Sequence, residues 1–584
     1  MEGHHAEIPN PRCPRFRSHH CLGSWLGCAR ATGPRATADL IVFNGKVVTV
    51  DDQFSIGSAL AVKDGKIVTV GGSEMEVDYQ APVRIDLKGR VLLPGFIDTH
   101  VHLRGQSPRE IDMKQAKSIV DIQRLIREKA KQLGPGEWVT GRDWSEYELA
   151  EQRRPLRADL DSAAPDNPVA LWRAGGHSAV GNSAALKLAN ITSGTPDPDH
   201  GIIEHDEKGE PNGVIRERTD IFRKLVPADD QEALKPSYLA SLKGLLKLGI
   251  TSFFEASTSI DDEPMGAGGT GKPVEAGRHS YKIFRELYSQ MGDQLPRATL
   301  YIDYPGAERL RAFPHKTGDG DDRLKLGPIG ETPYDGGFTG PTAYTFEDYK
   351  GLPGFRGTAL MFEAELQEMV ETSASLGWQL GIHAIGDKAI VTVADAYARA
   401  LNKYPKPDAR WYLAHLSMIP PASTLDLMAR NGIYAAVQPN FLYNVEGRYL
   451  ETLEGYRLER INPISSALER GVFLAFSSDN LPIGPMVGLY AAVSRKGMSG
   501  KVYGKEEAVS ITDAIRMYTR AGAHLSWDET KKGSLEAGKF ADLVVLDHDP
   551  LTSDPAELLK TNVDLTIVGG KVLYDRALDQ TAKR

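Results

Sequence analysis

Short apolar runs separated by tight-turn dipeptides fill residues 39–93. LIVFNGKVVTV (40–50) places Asn-Gly between two apolar stretches, and ALAVKDGKIVTV (59–70) repeats the device with Asp-Gly. Such dipeptides supply the left-handed residues that a two-residue hairpin needs, so this stretch predicts short paired strands. RIDLKGRVLL (84–93) adds a third piece, and ADLVVLD (541–547) and DLTIVGGKVLY (564–574) are matching pieces near the other end. The two ends, 38–94 and 533–576, are expected to pair into one small β-sandwich.

Between them the pattern changes to buried runs separated by helix-like segments. VLLPGFID (91–98) is almost wholly apolar and continues into Thr-His-Val-His. WQLGIH ends at His383, WYLAH at His415 and VFLAFSSD at Asp479. One βα unit takes about 30 residues or more, so His383 to His415 is one unit. His415 to Asp479 is two, with YAAVQPN (434–440) as the strand between. Strands alternating with helices predict a parallel sheet, and polar groups at the C-terminal ends of several strands predict a (β/α)8 barrel, here residues 95–532. The run holds more strand-like segments than a barrel takes. The excess falls in residues 105–235, with EWVTGRDW (137–144) and PVALWRAGGH (168–177), and is assigned to an inserted α+β subdomain over the barrel mouth. The barrel resumes with ITSFFEA (250–256), ATLYID (298–303) and LKLGPI (324–329).

The 584 residues, 41% hydrophobic and 25% charged, suffice for an ample core and more than one domain. A net charge of −9 without a basic stripe argues against nucleic acid as a partner. No apolar run reaches the length of about 18–20 residues that a membrane span needs. The three cysteines, Cys13, Cys21 and Cys28, all precede the patterned region, which suits a reducing cytoplasm. Residues 1–37 have no periodicity and no apolar signal core, and read as a disordered leader; their cysteine spacing matches no zinc-finger pattern.

The candidate chemistry gathers at the strand ends. His100 and His102 alternate along a strand and therefore face the same side, so both imidazoles converge on one point, a half-built metal site. His383, His415 and Asp479 are the further ligand candidates. Asp98 shares the parity of the histidine pair and is expected to support it. Asp387 is expected to cap the helix that follows it. His177 lies in a glycine-rich turn where backbone approaches a ligand closely, and Trp144 and Trp172 are candidates for an apolar pocket wall. His200, His205, His279, His315, His524 and His548 read as surface or loop residues.

PGFIDTHVH (94–102), His383, His415 and the Ser478–Asp479 pair resemble the ligand set of the amidohydrolase superfamily (amidohydrolase family 3). GHSAVGNSAAL (176–186), HAIGD (383–387) and QPN (438–440) resemble its YtcJ-like branch, which includes N-substituted formamide deformylases; GSLEAGKFADLVVLD (533–547) is common to much of the superfamily. The resemblance runs from about residue 38 to about 576. It implies a barrel beside a sandwich made from both chain ends, a zinc site of one or two metal ions, and a substrate-side role for His177. Many relatives carry a lysine on the fourth strand, where this chain has GPIGET (327–332). Glu331 is the nearest replacement, sharing parity with Lys325 but lying at the ligand-bearing end. Whether it bridges two metals or stands beside one stays open at this point. His100 and His102 would hold the buried metal with Asp479; His383 and His415 would hold a second, or His383 alone would complete a single site. Asp479 is the expected acid–base group, working on water whose pKa zinc lowers from about 15.7 to about 7. The expected activity is hydrolysis of a non-peptide C–N bond in a small molecule, a linear amide or N-substituted formamide, by a cytoplasmic enzyme, with a homodimer as the expected assembly. Cyclic amides or carbamates, a metal-dependent isomerase or decarboxylase, and a non-catalytic binding or regulatory protein on the same scaffold are the alternatives.

Overall fold

The computed structural model describes residues 35–582, leaving out 104, 114–115, 175, 228, 230, 261–279 and 339. The leader through residue 34, its cysteines, and His279 therefore lie outside the described residues. Ala36–Thr37, expected in the leader, instead pairs in parallel with Tyr79–Gln80.

Eight parallel strands follow one another in chain order around the barrel: β1 (Phe96–Val101), β2 (Ile250–Thr258), β3 (Arg297–Ile302), β4 (Leu324–Pro333), β5 (Leu380–Ala384), β6 (Tyr412–His415), β7 (Tyr434–Val437) and β8 (Leu474–Phe476). The seam between β8 and β1 is drawn together by Asp479 N–H donating to His100 O (2.8 Å) and by the Thr99 hydroxyl donating to Phe476 O (3.0 Å). The expected α/β barrel is thus present. Its interior is filled rather than open: Phe254, Tyr301 and Tyr412 interlock with Ala436 and Ala475 beneath the mouth. Around the outside, helix Asp387–Lys403 shows why its sequence is helical. Ile390, Val393, Ala394, Tyr397 and Ala400 recur at helical spacing and are all fully buried. The Tyr397 hydroxyl accepts Ile382 N–H (2.9 Å) and donates to Tyr412 O (3.2 Å), tying that helix to β5 and β6.

Both chain ends meet in two sheets. Val91–Pro94 pairs antiparallel with Leu543–Leu546 in a six-stranded sheet, which packs on a four-stranded sheet holding Leu40–Phe43 and Ala59–Lys63. Leu40, Val42, Leu60, Val62, Leu92, Leu543, Val545 and Ile567 share the core between them. A buried ion pair, Arg297 with both oxygens of Asp542 (2.7 and 3.1 Å), locks β3 to this sandwich.

Between β1 and β2 stands a subdomain with a six-stranded mixed sheet, including Val139–Trp144, Val169–Arg173, Ser178–Gly181 and Pro211–Arg216. Helix Ile119–Leu133 packs on it through Ile119, Ile122, Leu125 and Ile126, and starts at Ser118, whose hydroxyl accepts Asp121 N–H (3.1 Å). Replacing such a cap by Ala costs about 1 kcal/mol. The subdomain is anchored to the barrel by Glu146, which pairs with Arg173 (2.7 Å) inside the subdomain and with Arg448 after β7. No helix among the described residues is long and apolar enough to cross a membrane.

Candidate metal centre

His100 and His102 leave β1 on the same side, with their Nε2 atoms 3.2 Å apart. His100 is fully buried, its ring edge-on to Tyr301 at 5.8 Å, so the barrel filling itself supports the imidazole. His102 is aimed by β2. Its Nδ1 lies 2.7 Å from the Ser257 hydroxyl, while Glu255 accepts the N–H of the next residue, Leu103 (2.7 Å). Asp98, on the same strand, accepts N–H groups from His100 (3.3 Å) and Ser478 (3.0 Å) and so links β1 to the end of β8.

Glu331, near the end of β4, occupies the centre of the cluster. Its Oε1 lies 2.7 Å from both His383 Nδ1 and His415 Nε2, and 3.6 Å from His100 Nε2; its Oε2 lies 3.2 Å from His102 Nε2. The two oxygens thus address different imidazoles. Lys325, at the start of the same strand, reaches away from the mouth to Asp528 (2.5 Å) and Ser526 O (2.6 Å).

The remaining groups sit where strands run out and the backbone turns sharply. His415 (φ 95°), Leu416 (φ 79°) and Asp479 (φ 60°) all take left-handed conformations. Such residues cost about 1–3 kcal/mol each and persist where surrounding packing enforces them. Here they bring the His415 ring onto Phe441 at 5.9 Å and the Asp479 carboxylate to 3.6 Å from His102 Nε2. Gln438 Oε1 faces His415 Nδ1 (2.7 Å), which fixes Nδ1 as the protonated nitrogen and leaves Nε2 as the ligating one. Asp335, beyond β4, accepts N–H groups from Tyr344, Ile385 and Gly386 and lies 3.6 Å from His383 Nε2.

Burial and charge work against each other here. Burial drives His100 well below the usual histidine range and His383 down to about 4, so both are neutral donors at pH 7. Burial also opposes the charged form of His102, but Glu331 and Asp479 outweigh it and hold its pKa near 9. Glu331, despite its burial, is held well below the usual carboxylate range by the imidazoles, His100 foremost. Burial pushes Asp479 upward, and Asp98 and Asp335 each to about 7.

Among the described residues, two sets of three donors converge tightly enough to hold an ion: His100, Glu331 and His415, and His100, His102 and Asp479. Neutral imidazoles combined with carboxylates suit zinc and similar divalent ions. The pull that Glu331 and Asp479 exert on His102 is a pull toward positive charge, which a cation would answer. The donor set therefore fits a metal.

Of the residues expected from the sequence, His100, His102, Glu331, His383, His415 and Asp479 all come together. His177 arrives from the subdomain, its ring 5.6 Å from that of His383. Trp144 and Trp172, expected along a pocket wall, instead point into the two cores of the subdomain. Trp144 donates to Leu171 O (3.3 Å), and Trp172 has the Arg142 and Arg223 guanidinium groups 5.2 and 5.6 Å from its ring. Asp387 is the first residue of its helix rather than the cap, and its carboxylate accepts Phe346 N–H (3.0 Å). Sequence reasoning did not single out Ser257, Glu255, Asp335 or Glu217. Glu255 and Ser257 share one face near the end of β2, a parity signal that is visible in the sequence; the other two follow only from the fold.

The sequence model of the amidohydrolase family matches residues 84–574. The chain is 29% identical over 567 residues to the N-substituted formamide deformylase of Arthrobacter pascens, covering 92% of this chain and 98% of that one. It is 27% identical over 551 residues to YtcJ of Bacillus subtilis (strain 168), an amidohydrolase by name, covering 91% and 99%. An uncharacterized metal-dependent hydrolase of Pyrococcus horikoshii OT3, known from its crystal structure, aligns at a TM-score of 0.66 and 25% identity over 88% of this chain and 99% of that one.

Proposed function

This chain belongs to the amidohydrolase family, and from that premise we propose that it is a metal-dependent hydrolase of a non-peptide C–N bond in a linear amide or N-substituted formamide. The observation that carries the reading is the placing of Glu331, with one oxygen toward His383 and His415 and the other toward His102. That is the arrangement of a carboxylate shared by two metal positions. His100, His102 and Asp479 would hold one ion, His383 and His415 the other, with Glu331 between them. The similarity to a formamide deformylase supports the linear amide as substrate; cyclic amides and carbamates present the same carbonyl carbon and nitrogen.

When bound, a divalent metal supplies Lewis acidity toward the carbonyl and a water acidic enough to ionise near neutral pH. Asp479 stands beside His102 with its backbone fixed by His100 O and its Oδ1 accepting Asn480 N–H (2.6 Å). It takes the proton of the attacking water and returns it to the leaving nitrogen, the role of a positioned carboxylate. Burial raises its proton affinity toward that task. His177, from the subdomain, reaches within 5.6 Å of the His383 ring; a subdomain seated over the mouth would limit bulk water and so strengthen each charge interaction inside.

Metal per chain, measured by plasma mass spectrometry on wild type, His383→Ala and Glu331→Ala, together with release of formate from an N-alkylformamide, tests the reading. About two ions per wild-type chain and metal-dependent turnover are expected. A reconstituted protein that binds no metal would sink it.

A further inference from the structure

The HAIGD turn (383–387) at the end of β5 closes around a carboxylate that neither set of metal donors uses. Asp335, two residues beyond β4, is fully buried, and backbone pairing places it: Tyr334 N–H donates to His383 O (3.2 Å), and Leu360 N–H to Tyr334 O (2.7 Å). Its Oδ1 accepts Ile385 N–H (3.0 Å), and its Oδ2 accepts the N–H groups of Gly386 and Tyr344 (2.8 Å each). A glycine is required in this turn, because a Cβ on Gly386 would stand 2.0 Å from Tyr344 O. Three backbone donors thus hold the carboxylate with Oδ1 3.6 Å from His383 Nε2, just beyond the usual hydrogen-bond limit of about 3.2 Å. Among the described residues, that buried Nε2 has no hydrogen-bond partner. From the subdomain side, His177, its Nδ1 2.9 Å from Glu217 Oε2, brings its ring to 5.6 Å from that of His383 and adds positive charge beside Asp335.

The other edge of the same ring decides what Nε2 must carry. It is Nδ1 of His383 that lies 2.7 Å from Glu331 Oε1, whereas His415 meets that oxygen at the same distance through Nε2. A neutral imidazole has one N–H and one lone pair. For Nδ1 to offer its lone pair to a cation beside Glu331, the hydrogen must sit on Nε2, and Asp335 is the acceptor that faces it. A ligating imidazole gives its second N–H to an acceptor that fixes the tautomer and the ring orientation; Gln438 stands in that place behind His415. We propose that Asp335 is the positioning residue of His383: it takes the Nε2 hydrogen, so that Nδ1 is the atom presented to the second metal position. This rests on the metal-dependent hydrolase reading above and says how one ligand of that site is set. It also gives the HAIGD turn a purpose, since the N–H groups of Ile385 and Gly386 hold the carboxylate that holds the histidine.

The test titrates zinc into metal-stripped full-length wild type, Asp335→Ala and Asp387→Ala against a chromogenic chelator, with the thermal midpoint of each metal-free protein recorded alongside. Asp387 is the control, because its carboxylate accepts Phe346 N–H (3.0 Å) and so ties down the same loop at the same turn without facing His383 Nε2. Asp335→Ala is expected to bind the second zinc equivalent about ten- to a hundredfold more weakly and the first within about threefold of wild type. Asp387→Ala is expected to lower the thermal midpoint and leave both equivalents within about threefold. Zinc affinity that falls in step with the thermal midpoint in both variants, or a second equivalent unchanged in Asp335→Ala, would overturn the assignment. If Asp335→Ala does not fold, a crystal structure of zinc-loaded wild type carries the test. Nδ1 of His383 on zinc, with Nε2 within about 3.2 Å of Asp335, is the expected result, and zinc on Nε2 would overturn it. Uptake of a single zinc by wild type would overturn the assignment and leave the hydrolase reading standing, whereas uptake of none would overturn both.

Discussion

Lys325 and Glu331 lie on the same strand but serve opposite ends of the barrel. The lysine reaches Asp528 at 2.5 Å, and the glutamate places Oε1 2.7 Å from both His383 and His415. The strand therefore brings its carboxylate, not its amine, to the metal floor. Glu331→Ala is expected to lower metal content from about two ions toward one and to reduce kcat/KM by about a hundredfold or more. A Glu ligand needs no carbon dioxide, so wild type should load equally well in bicarbonate-free buffer. Metal analysis with and without bicarbonate checks both statements; dependence on bicarbonate would point to a carboxylated lysine instead.

Lys325→Met is the complementary case. Burial depresses the lysine pKa to about 8, with Lys532 adding to the effect, while Asp528 draws it back up. Removing one partner of a buried pair costs about 3 kcal/mol where the other is left bare; here Lys532 still lies 3.2 Å from Asp528, so a smaller cost of about 1 kcal/mol is expected. The thermal midpoint should fall while metal per chain stays at the wild-type value. A Lys325 variant that loses metal would contradict the placement of this side chain away from the mouth.

The barrel and most of the metal floor were legible because both depend on period and strand ends. Apolar runs ending in His100, His383, His415 and Asp479 declare strands and ligands together. Glu331 was legible by position, near the end of a run whose start carries Lys325. The glutamate that holds His177 was not. It sits among the charged residues of IRERTD (215–220), where a carboxylate reads as solvated surface, and only the left-handed turn at Glu217 folds it inward. Trp144 and Trp172 misled for the opposite reason: a large apolar side chain fits a pocket wall and a core equally well by pattern, and here the subdomain needs both for its own packing. The subdomain also holds more strands than periodicity indicated, since short pieces such as Ile202–His205 are barely apolar.

Metal binding should expel a proton from His102. Its pKa near 9 means that the ring is protonated at pH 7, whereas His100 and His383, both lowered, are already neutral there. A metal must displace that proton, so apparent affinity rises with pH, by about tenfold per unit between 7 and 9, and levels off above. Calorimetric titration of metal-stripped protein in buffers of different ionisation enthalpy should show about one proton released at pH 7 and close to none above pH 9. Release of none at pH 7 would contradict the charge state assigned to His102.

The groups behind the imidazoles set how tightly they ligate. Ser257 faces His102 Nδ1 and Gln438 faces His415 Nδ1, each at 2.7 Å. Ser257→Ala and Gln438→Leu remove those partners without touching a ligand, and each should weaken metal binding by about ten- to a hundredfold. Competition with a chromogenic chelator measures this directly. Unchanged affinity in both variants would mean that packing alone, through Tyr301 and Phe441, orients the rings.

Gly337→Ala tests the placing of His177 apart from the metal ligands. The added methyl would stand 2.7 Å from His177 Cδ2 and 2.9 Å from Nε2, so the ring must move, yet no metal ligand is touched. A displacement of about 1 Å near the reacting group costs about a hundredfold in rate. The variant should therefore keep its metal and lose turnover. Gly244→Ala is the matched control: the space around it is open and it lies in helix Gln231–Leu246, so the same change should leave kcat/KM alone and add up to about 1 kcal/mol of stability. If Gly337→Ala turns over as fast as the control, the His177 ring has room to move without consequence for the reaction.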